Sequence, residues 1–232
     1  MNKCPLCNGS GKKIVAVTHR LSGTLKTSVE WCICMKSRFV SDSPNCKILK
    51  YLGDEYLPLD KIDKRLIFLP GHLAESPNLF IYDTDFRNFC FHIKSVVIKH
   101  RFIEPVPLIY CSNAIGILHD FYVKQNDGSS PQLSQLNDFD LLIITLDTRE
   151  KNEPLKTCIA QVVYSRLCTR KPTWLYITDR VFNDKYWEYS DDLNSYIEDK
   201  KKFTKIKRLT EIDIKEKPVI TKSKQSASNF GR

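Results

Sequence analysis

The chain has 232 residues, 42% of them hydrophobic and 11% aromatic, with a formal net charge of +9. That is enough apolar material for one or two packed domains, and only 8 Gly and 11 Pro exclude a fibrous or low-complexity chain. No stretch approaches the roughly 20 uninterrupted apolar residues of a membrane span and Met1-Asn2-Lys3-Cys4-Pro5 opens no apolar leader, so a soluble cytoplasmic protein with no membrane partner is expected.

Residues 1–50 sum to a charge of +7, residues 51–199 to −6 and residues 200–232 to +8. Basic ends suit phosphate contacts, because each neutralised phosphate releases counterions. The plainer alternative is a pair of solvated ends. The 9 Cys read as metal ligands or buried apolar residues rather than disulfides.

The first unit, residues 1–50, has few large apolar residues and needs a staple. Cys4-Pro5-Leu6-Cys7 is a C-x-x-C knuckle followed by Asn8-Gly9-Ser10-Gly11, and Cys32-Ile33-Cys34 is a second, shorter pair. Two such pairs make a closed, four-thiolate structural zinc site. Cys46 or His19 is the alternative fourth ligand. Ile14–Val17 and Thr27–Trp31 suit the hairpin of a zinc-ribbon-like module. Lys12, Lys13, Arg20, Lys26, Lys36 and Arg38 surround it as candidate nucleic-acid contacts.

Residues 51–77 read as a connector with short helical pieces limited by prolines. The second unit, residues 78–210, alternates. Leu79–Tyr82 is an apolar run of the kind buried on both faces of a sheet. Residues 86–102 follow at helical spacing. Pro107–Cys111, Leu141–Ile144 and Trp174–Ile177 read as further strands, separated by helices over 113–124 and 155–168. A helix over 190–199 is capped by Ser190, and 206–209 is one more short strand. The β-α-β-α-β-α-β order predicts an α/β fold, a parallel sheet with helices on both faces. Cys90, Cys111, Cys158 and Cys168 fall in apolar runs and are expected to be buried. Residues 211–232 read as a basic disordered tail. Lys205, Lys207 and Arg208, just before it, are candidate nucleic-acid contacts, and Tyr186, Trp187 and Tyr189 are candidate stacking residues.

In its order of elements, its N-terminal Cys4-Pro5-Leu6-Cys7-Asn8-Gly9-Ser10-Gly11 run and its second Cys pair, the chain resembles the DnaC/IstB-like helicase loaders, AAA+ P-loop ATPases, especially phage and mobile-element members. The resemblance covers roughly residues 1–38 and 78–209. It implies an AAA+-like fold and a role in replication initiation, with a replicative helicase or loader ATPase and DNA as partners. Asn78–Tyr82 is similar to the strand that leads into the Walker A loop, Asp138–Ile144 to the Walker B strand, and Trp174–Asp179 to the strand that ends at the sensor-1 position.

The chemistry departs from the family. A P-loop needs G-x-x-x-x-G-K-[ST], whose amides cradle phosphates and whose Lys and hydroxyl serve the γ-phosphate and Mg²⁺. Here Asp83-Thr84-Asp85-Phe86-Arg87-Asn88-Phe89-Cys90 has no glycine. Phe89 stands in the place of Lys and Cys90 in the place of Ser or Thr. Arg87 is the one cation, and Asp83 and Asp85 would repel a triphosphate. The acidic Walker B positions are occupied by Thr145 and Leu146, with Asp147 one residue late. Arg180 is a weak match to an arginine finger. The expectation is a pseudo-ATPase, not an enzyme: a non-catalytic adaptor that binds nucleic acid and docks on a replication ATPase or helicase, with homo- or hetero-oligomerisation left open. The alternatives are an active ATP-dependent loader with an unusual nucleotide site and a purely structural interaction subunit. A divalent-ion nuclease site built from Asp83, Asp85, Asp140 and Asp147 at one sheet edge is a further, weaker reading.

Overall fold

The computed structural model describes Cys7, Ser10 and residues 12–18, 25–32, 45–52, 61–66, 75–101, 107–121, 133–147, 149, 152–177 and 189–211. The expected hairpin is present. Strand β1 (Lys12–Thr18) pairs antiparallel with β2 (Leu25–Trp31), in a register that matches Lys12 with Trp31.

The remaining strands form one parallel sheet: β3 (Leu79–Tyr82), β4 (Ile109–Asn113), β5 (Leu141–Leu146), β6 (Thr173–Ile177) and β7 (Thr204–Lys207). They lie side by side in the order β4-β5-β6-β3-β7. Among the described residues four α-helices connect them: α1 (Phe86–Arg101), α2 (Ala114–Phe121), α3 (Glu153–Cys168) and α4 (Asp191–Glu198). The chain leaves β3 for the far edge at β4 and then returns through β5 and β6. Right-handed crossovers therefore put α1 on one face and α2, α3 and α4 on the other.

The side-chain alternation fits those two faces. Leu79, Ile81, Cys111, Ile143, Trp174 and Tyr176 pack with Phe89, Ile93, Val96 and Val97 of α1. Phe80, Tyr110, Leu142, Ile144, Leu175 and Ile177 pack with Ile117 of α2, Ile159 and Val163 of α3, and Leu193 and Ile197 of α4. Each such side chain contributes about 1.5–3 kcal/mol when fully buried. The parallel α/β expectation holds, with helices on both faces.

Two capping side chains fix where helices begin. Asn152 Oδ1 accepts the Leu155 amide at 3.1 Å, and Ser190 Oγ accepts the Leu193 amide at 3.2 Å. The N-terminal ends of β5 and β6 are pinned by Arg166, which is fully buried. Its guanidinium donates to Thr173 Oγ1 at 3.0 Å, to the Pro172 carbonyl at 2.7 Å, to the Phe139 carbonyl at 3.1 Å and to the Leu136 carbonyl. Burial lowers its pKa to about 10.

Several expectations are corrected. Residues 45–52 pack into the sheet domain: Cys111 donates to the Asn45 carbonyl, and Cys46, Leu49 and Leu52 join the α1 core. Cys46, an alternative zinc ligand, lies beside Cys90 and Cys111, and burial with those neighbours pushes the Cys111 thiol up. Cys90, Cys111 and Cys158 are buried as expected, but Cys168, in the last turn of α3, is exposed. The last strand runs over 204–207 rather than 206–209, because Thr204–Lys207 are the residues that pair in register with Leu79–Tyr82 of β3.

Candidate functional site

In an open parallel sheet, ligands bind beyond the carboxyl ends of the strands, where the chain path reverses. Here that point is the carboxyl end of β3 beside β6. β3 ends at Tyr82 and α1 starts at Phe86, so Asp83, Thr84 and Asp85 are the whole connection. Asp83 has φ 54, a left-handed backbone that turns the chain sharply.

Asp85 caps α1. Its Oδ1 accepts the Arg87 amide at 2.9 Å and the Asn88 amide at 3.3 Å, and its carbonyl accepts the Phe89 amide at 2.8 Å. The Arg87 and Asn88 amides, which would help hold an anion at an open helix end, are therefore engaged by this chain's own carboxylate. The rest of the turn is equally occupied. Tyr176 OH donates to the Thr84 carbonyl at 2.7 Å, and Thr84 Oγ1 accepts the Leu209 amide at 2.9 Å. The Arg208 amide donates to the Tyr82 carbonyl at 2.9 Å, and its guanidinium meets Asp83 Oδ2 at 3.1 Å.

Phe89, which the resemblance sets against a P-loop lysine, is fully buried and stacks on Tyr176 with ring centroids 3.9 Å apart. Cys90 is buried too. Arg87 lies over the Phe91 ring, its Cζ 5.4 Å from the centroid. On β5, Thr145 and Leu146 are buried, and Asp147 directly follows the strand. Arg149 donates to Asp147 from Nε at 3.1 Å and Nη2 at 3.0 Å. That guanidinium holds the Asp147 carboxyl below its ordinary value.

A second network locks the same edge from outside. Asp63, 4% exposed, accepts the Arg65 guanidinium at 2.7 and 2.9 Å, and the Thr210 amide and hydroxyl at 2.9 and 3.0 Å. The Arg65 side chain holds the Asp63 carboxyl far below the usual carboxylate range. Arg65 also donates to the Arg208 carbonyl at 2.7 Å. His92 Nδ1 accepts the Asp63 amide at 3.1 Å, and its Nε2 lies 2.9 Å from the Thr210 carbonyl. Those partners assign the neutral Nε2–H tautomer, in line with the lowering of its pKa by burial.

What remains at this edge is a cavity of about 210 Å³ lined by Asp83, Thr84, Asp85, Asn88, Phe91, Arg208, Leu209 and Glu211. Among the described residues, three carboxylates against one guanidinium make it unfavourable for a phosphate chain. The nuclease grouping is overturned. Asp140 precedes β5, accepts the Leu108 amide at 2.9 Å and pairs with Lys171 at 3.5 Å, so it sits at the opposite edge from Asp83, Asp85 and Asp147.

Of the zinc ligands, Cys7 and Cys32 are buried, and the Ser10 amide and hydroxyl donate to the Cys7 carbonyl at 2.9 and 2.7 Å. Cys32 directly follows β2, so the Lys12–Trp31 pairing sets Cys32 and the segment before β1 at the same end of the hairpin. That arrangement suits two Cys pairs on one ion. Cys4, Cys34 and His19 lie outside the described residues, and no group of three metal-ligating side chains occurs among the described ones. Lys12, Lys13 and Lys26 fall on the hairpin strands; Arg20, Lys36, Arg38 and Arg180 lie outside. Lys205 pairs with Glu198 at 2.7 Å, Arg208 is committed to Asp83, and Lys207 is exposed. Tyr189 is buried, which removes it as a stacking residue, and Tyr186 and Trp187 lie outside the described residues.

Sequence reasoning missed Asp63, Arg65, Thr210 and Tyr176. Asp85 carried a readable signal, an Asp immediately before a helical pattern, but was read as a repelling charge and as part of the nuclease grouping, not as a cap.

No protein-family model matches the chain, and no curated protein matches it. Among solved structures it is similar to AMPPCP-bound DnaA from Aquifex aeolicus, with 14% identity and a TM-score of 0.46 over 61% of this chain and 43% of that one. It is similar to a DnaC helicase loader, with 9% identity and a TM-score of 0.46 over 60% of this chain and 81% of that one. A third is domain III of the Thermotoga maritima replication initiation protein DnaA, with 17% identity and a TM-score of 0.45 over 68% of this chain and 70% of that one. The chain spans less than half of the first of these structures. These are likenesses of fold. No helix among the described residues is long and apolar enough to cross a membrane.

Proposed function

We propose that the chain is a non-catalytic, AAA+-like adaptor that binds nucleic acid and docks on a replication ATPase or helicase. The observation that carries this reading is the three-residue β3–α1 turn, capped by Asp85 and tied down by Tyr176, Leu209 and Arg208. A nucleotide-type sheet keeps its core while its phosphate edge is satisfied from within. A pseudo-ATPase of this kind has a scaffold left for docking.

Nucleic acid is held by the basic N-terminal module, through Lys12, Lys13, Arg20, Lys26, Lys36 and Arg38, with Lys207 and the basic tail as secondary contacts. Zinc bound by Cys4, Cys7, Cys32 and Cys34 fixes the hairpin that presents them; its role is structural. The replication setting, in the cytoplasm and with a phage or mobile element as its source, comes from the sequence resemblance.

The test is fluorescence anisotropy of the purified chain with labelled DNA and RNA at two salt concentrations. The reading expects binding that weakens with salt, and a shallower salt dependence when Lys12, Lys13 and Lys36 are changed to Glu. It fails if no nucleic acid binds and the chain captures neither a loader nor a helicase. Zinc is checked by metal analysis: about one ion per chain is expected, and Cys4→Ser with Cys7→Ser should release it.

A further inference from the structure

We propose that the amino edge of the sheet, opposite the sealed one, carries a patch for single-stranded nucleic acid built from Tyr164, Tyr196, Arg170 and Lys200–Lys202. The proposal rests on the reading of the chain as a nucleic-acid binder and adds a site on the α/β domain to the basic ends.

Two rings form the platform. Tyr164 on α3 is 56% exposed. Its ring stacks on Tyr196 of α4, with centroids 6.0 Å apart and planes at 28°. Lys202 Nζ lies 5.2 Å from the Tyr196 centroid. A base can extend this stack on the open face of Tyr164, because every base presents a π-face.

The cations arrive from two turns that the fold brings together. α3 ends in a turn where the Arg170 amide donates to the Leu167 carbonyl at 3.2 Å and the Lys171 amide to the Arg166 carbonyl at 2.9 Å. α4 leads through Lys200, Lys201 and Lys202 into β7. Asn78, at the start of β3, bridges the two: its Oδ1 accepts the Thr173 amide at 2.8 Å and its Nδ2 donates to the Lys202 carbonyl at 3.0 Å. With β6, β3 and β7 adjacent, the two turns are about 10 Å apart.

Lys171 is paired with Asp140 and Lys202 with Asp199. Arg170, Lys200 and Lys201 are exposed, and none of the three has an ion pair among the described residues. Arg170 also adopts φ 56. This is the left-handed position of a Schellman turn, where glycine is favoured on backbone grounds. A long cation held there points to a use for its side chain rather than to stability.

Exposed ring faces flanked by cations fit unpaired bases with their phosphates. A duplex keeps its bases stacked on one another and offers the rings nothing.

The experiment measures anisotropy of a labelled oligothymidine of about twenty nucleotides and of a duplex of equal length, with the full chain. Tyr164→Ala should weaken oligothymidine binding by about 5–20-fold with an unchanged Tm. Lys200→Glu with Lys201→Glu should make the log K against log salt slope shallower by about 1.4. Arg170→Gly should weaken binding while the Tm holds or rises. Duplex binding should change by much less in every variant. Wild-type affinity in all three variants would overturn the patch and leave the nucleic-acid reading standing. Equal losses for duplex and single strand would overturn the single-strand assignment. A wild-type chain that binds neither probe would remove the nucleic-acid reading and the patch together.

Discussion

The carboxyl and amino edges of the sheet are made by the same strands, yet they dispose of their polar groups in opposite ways. At the carboxyl edge, Asp85, Asp83 and Thr84 are bonded to amides, to Tyr176 and to Arg208, and Asp63 gathers Arg65 and Thr210 outside them. At the amino edge, the inner pin is Arg166, while Arg170, Lys200, Lys201 and Tyr164 face solvent. A sheet of this topology usually keeps its carboxyl edge open for ligands. Here the closed edge contributes stability and the open edge contributes charge.

The most severe way to break the comparison is at the amino edge's own anchor. Arg166→Ala removes the donors to Leu136, Phe139, Pro172 and Thr173 and leaves buried carbonyls without partners. A loss of about 4 kcal/mol is expected in urea unfolding. At the carboxyl edge, Asp63→Ala strands Arg65 and Thr210 and should cost about 3 kcal/mol. Its carboxyl is depressed in the fold, so this contribution is present above the unfolded Asp value and disappears as pH falls below it.

His100 adds a pH signature. Burial, followed by the nearby Lys99 charge, lowers its pKa to about 4. The unfolded chain takes up this proton near pH 6.5, so it binds more protons than the folded chain between those values and stability falls as acid is added. About 2 kcal/mol should be lost by pH 4.5, with the same sign from His92. His100→Gln should flatten the profile.

Smaller changes sharpen the contrast. Asp85→Ala removes an N-cap and should cost about 1 kcal/mol, part of which sulfate should restore by taking the vacated amides, without any gain of ATP affinity. Arg170→Gly should stabilise by about 0.5 kcal/mol, because glycine accepts the left-handed turn without strain. Both are readable as shifts in urea midpoint.

Much of the fold was legible because its strands are buried on both faces. Leu79–Tyr82, Leu141–Ile144 and Trp174–Ile177 were visible as apolar runs, and Ser190 as a cap. β7 was placed two residues late because an edge strand with one buried residue leaves little pattern. Cys168 was misread because an apolar run does not say which side of a helix's last turn meets solvent. The absence of a G-x-x-x-x-G-K-[ST] run from Asp83–Cys90 was legible residue by residue, but the closure of the turn was not. Tyr176 meets Thr84 across 92 positions and Thr210 meets Asp63 across 147, and no local pattern records such pairs. Asp140 was grouped with the wrong edge because its place at the start rather than the end of β5 decides which edge it faces.

The most direct test of the closed carboxyl edge is a titration of the full chain with fluorescent ATP and Mg²⁺, beside an intact loader ATPase as reference. The account predicts no saturable binding up to millimolar nucleotide. Saturable binding at micromolar nucleotide would contradict it, because the Asp85-capped turn would then have to open and the active-loader reading would take its place.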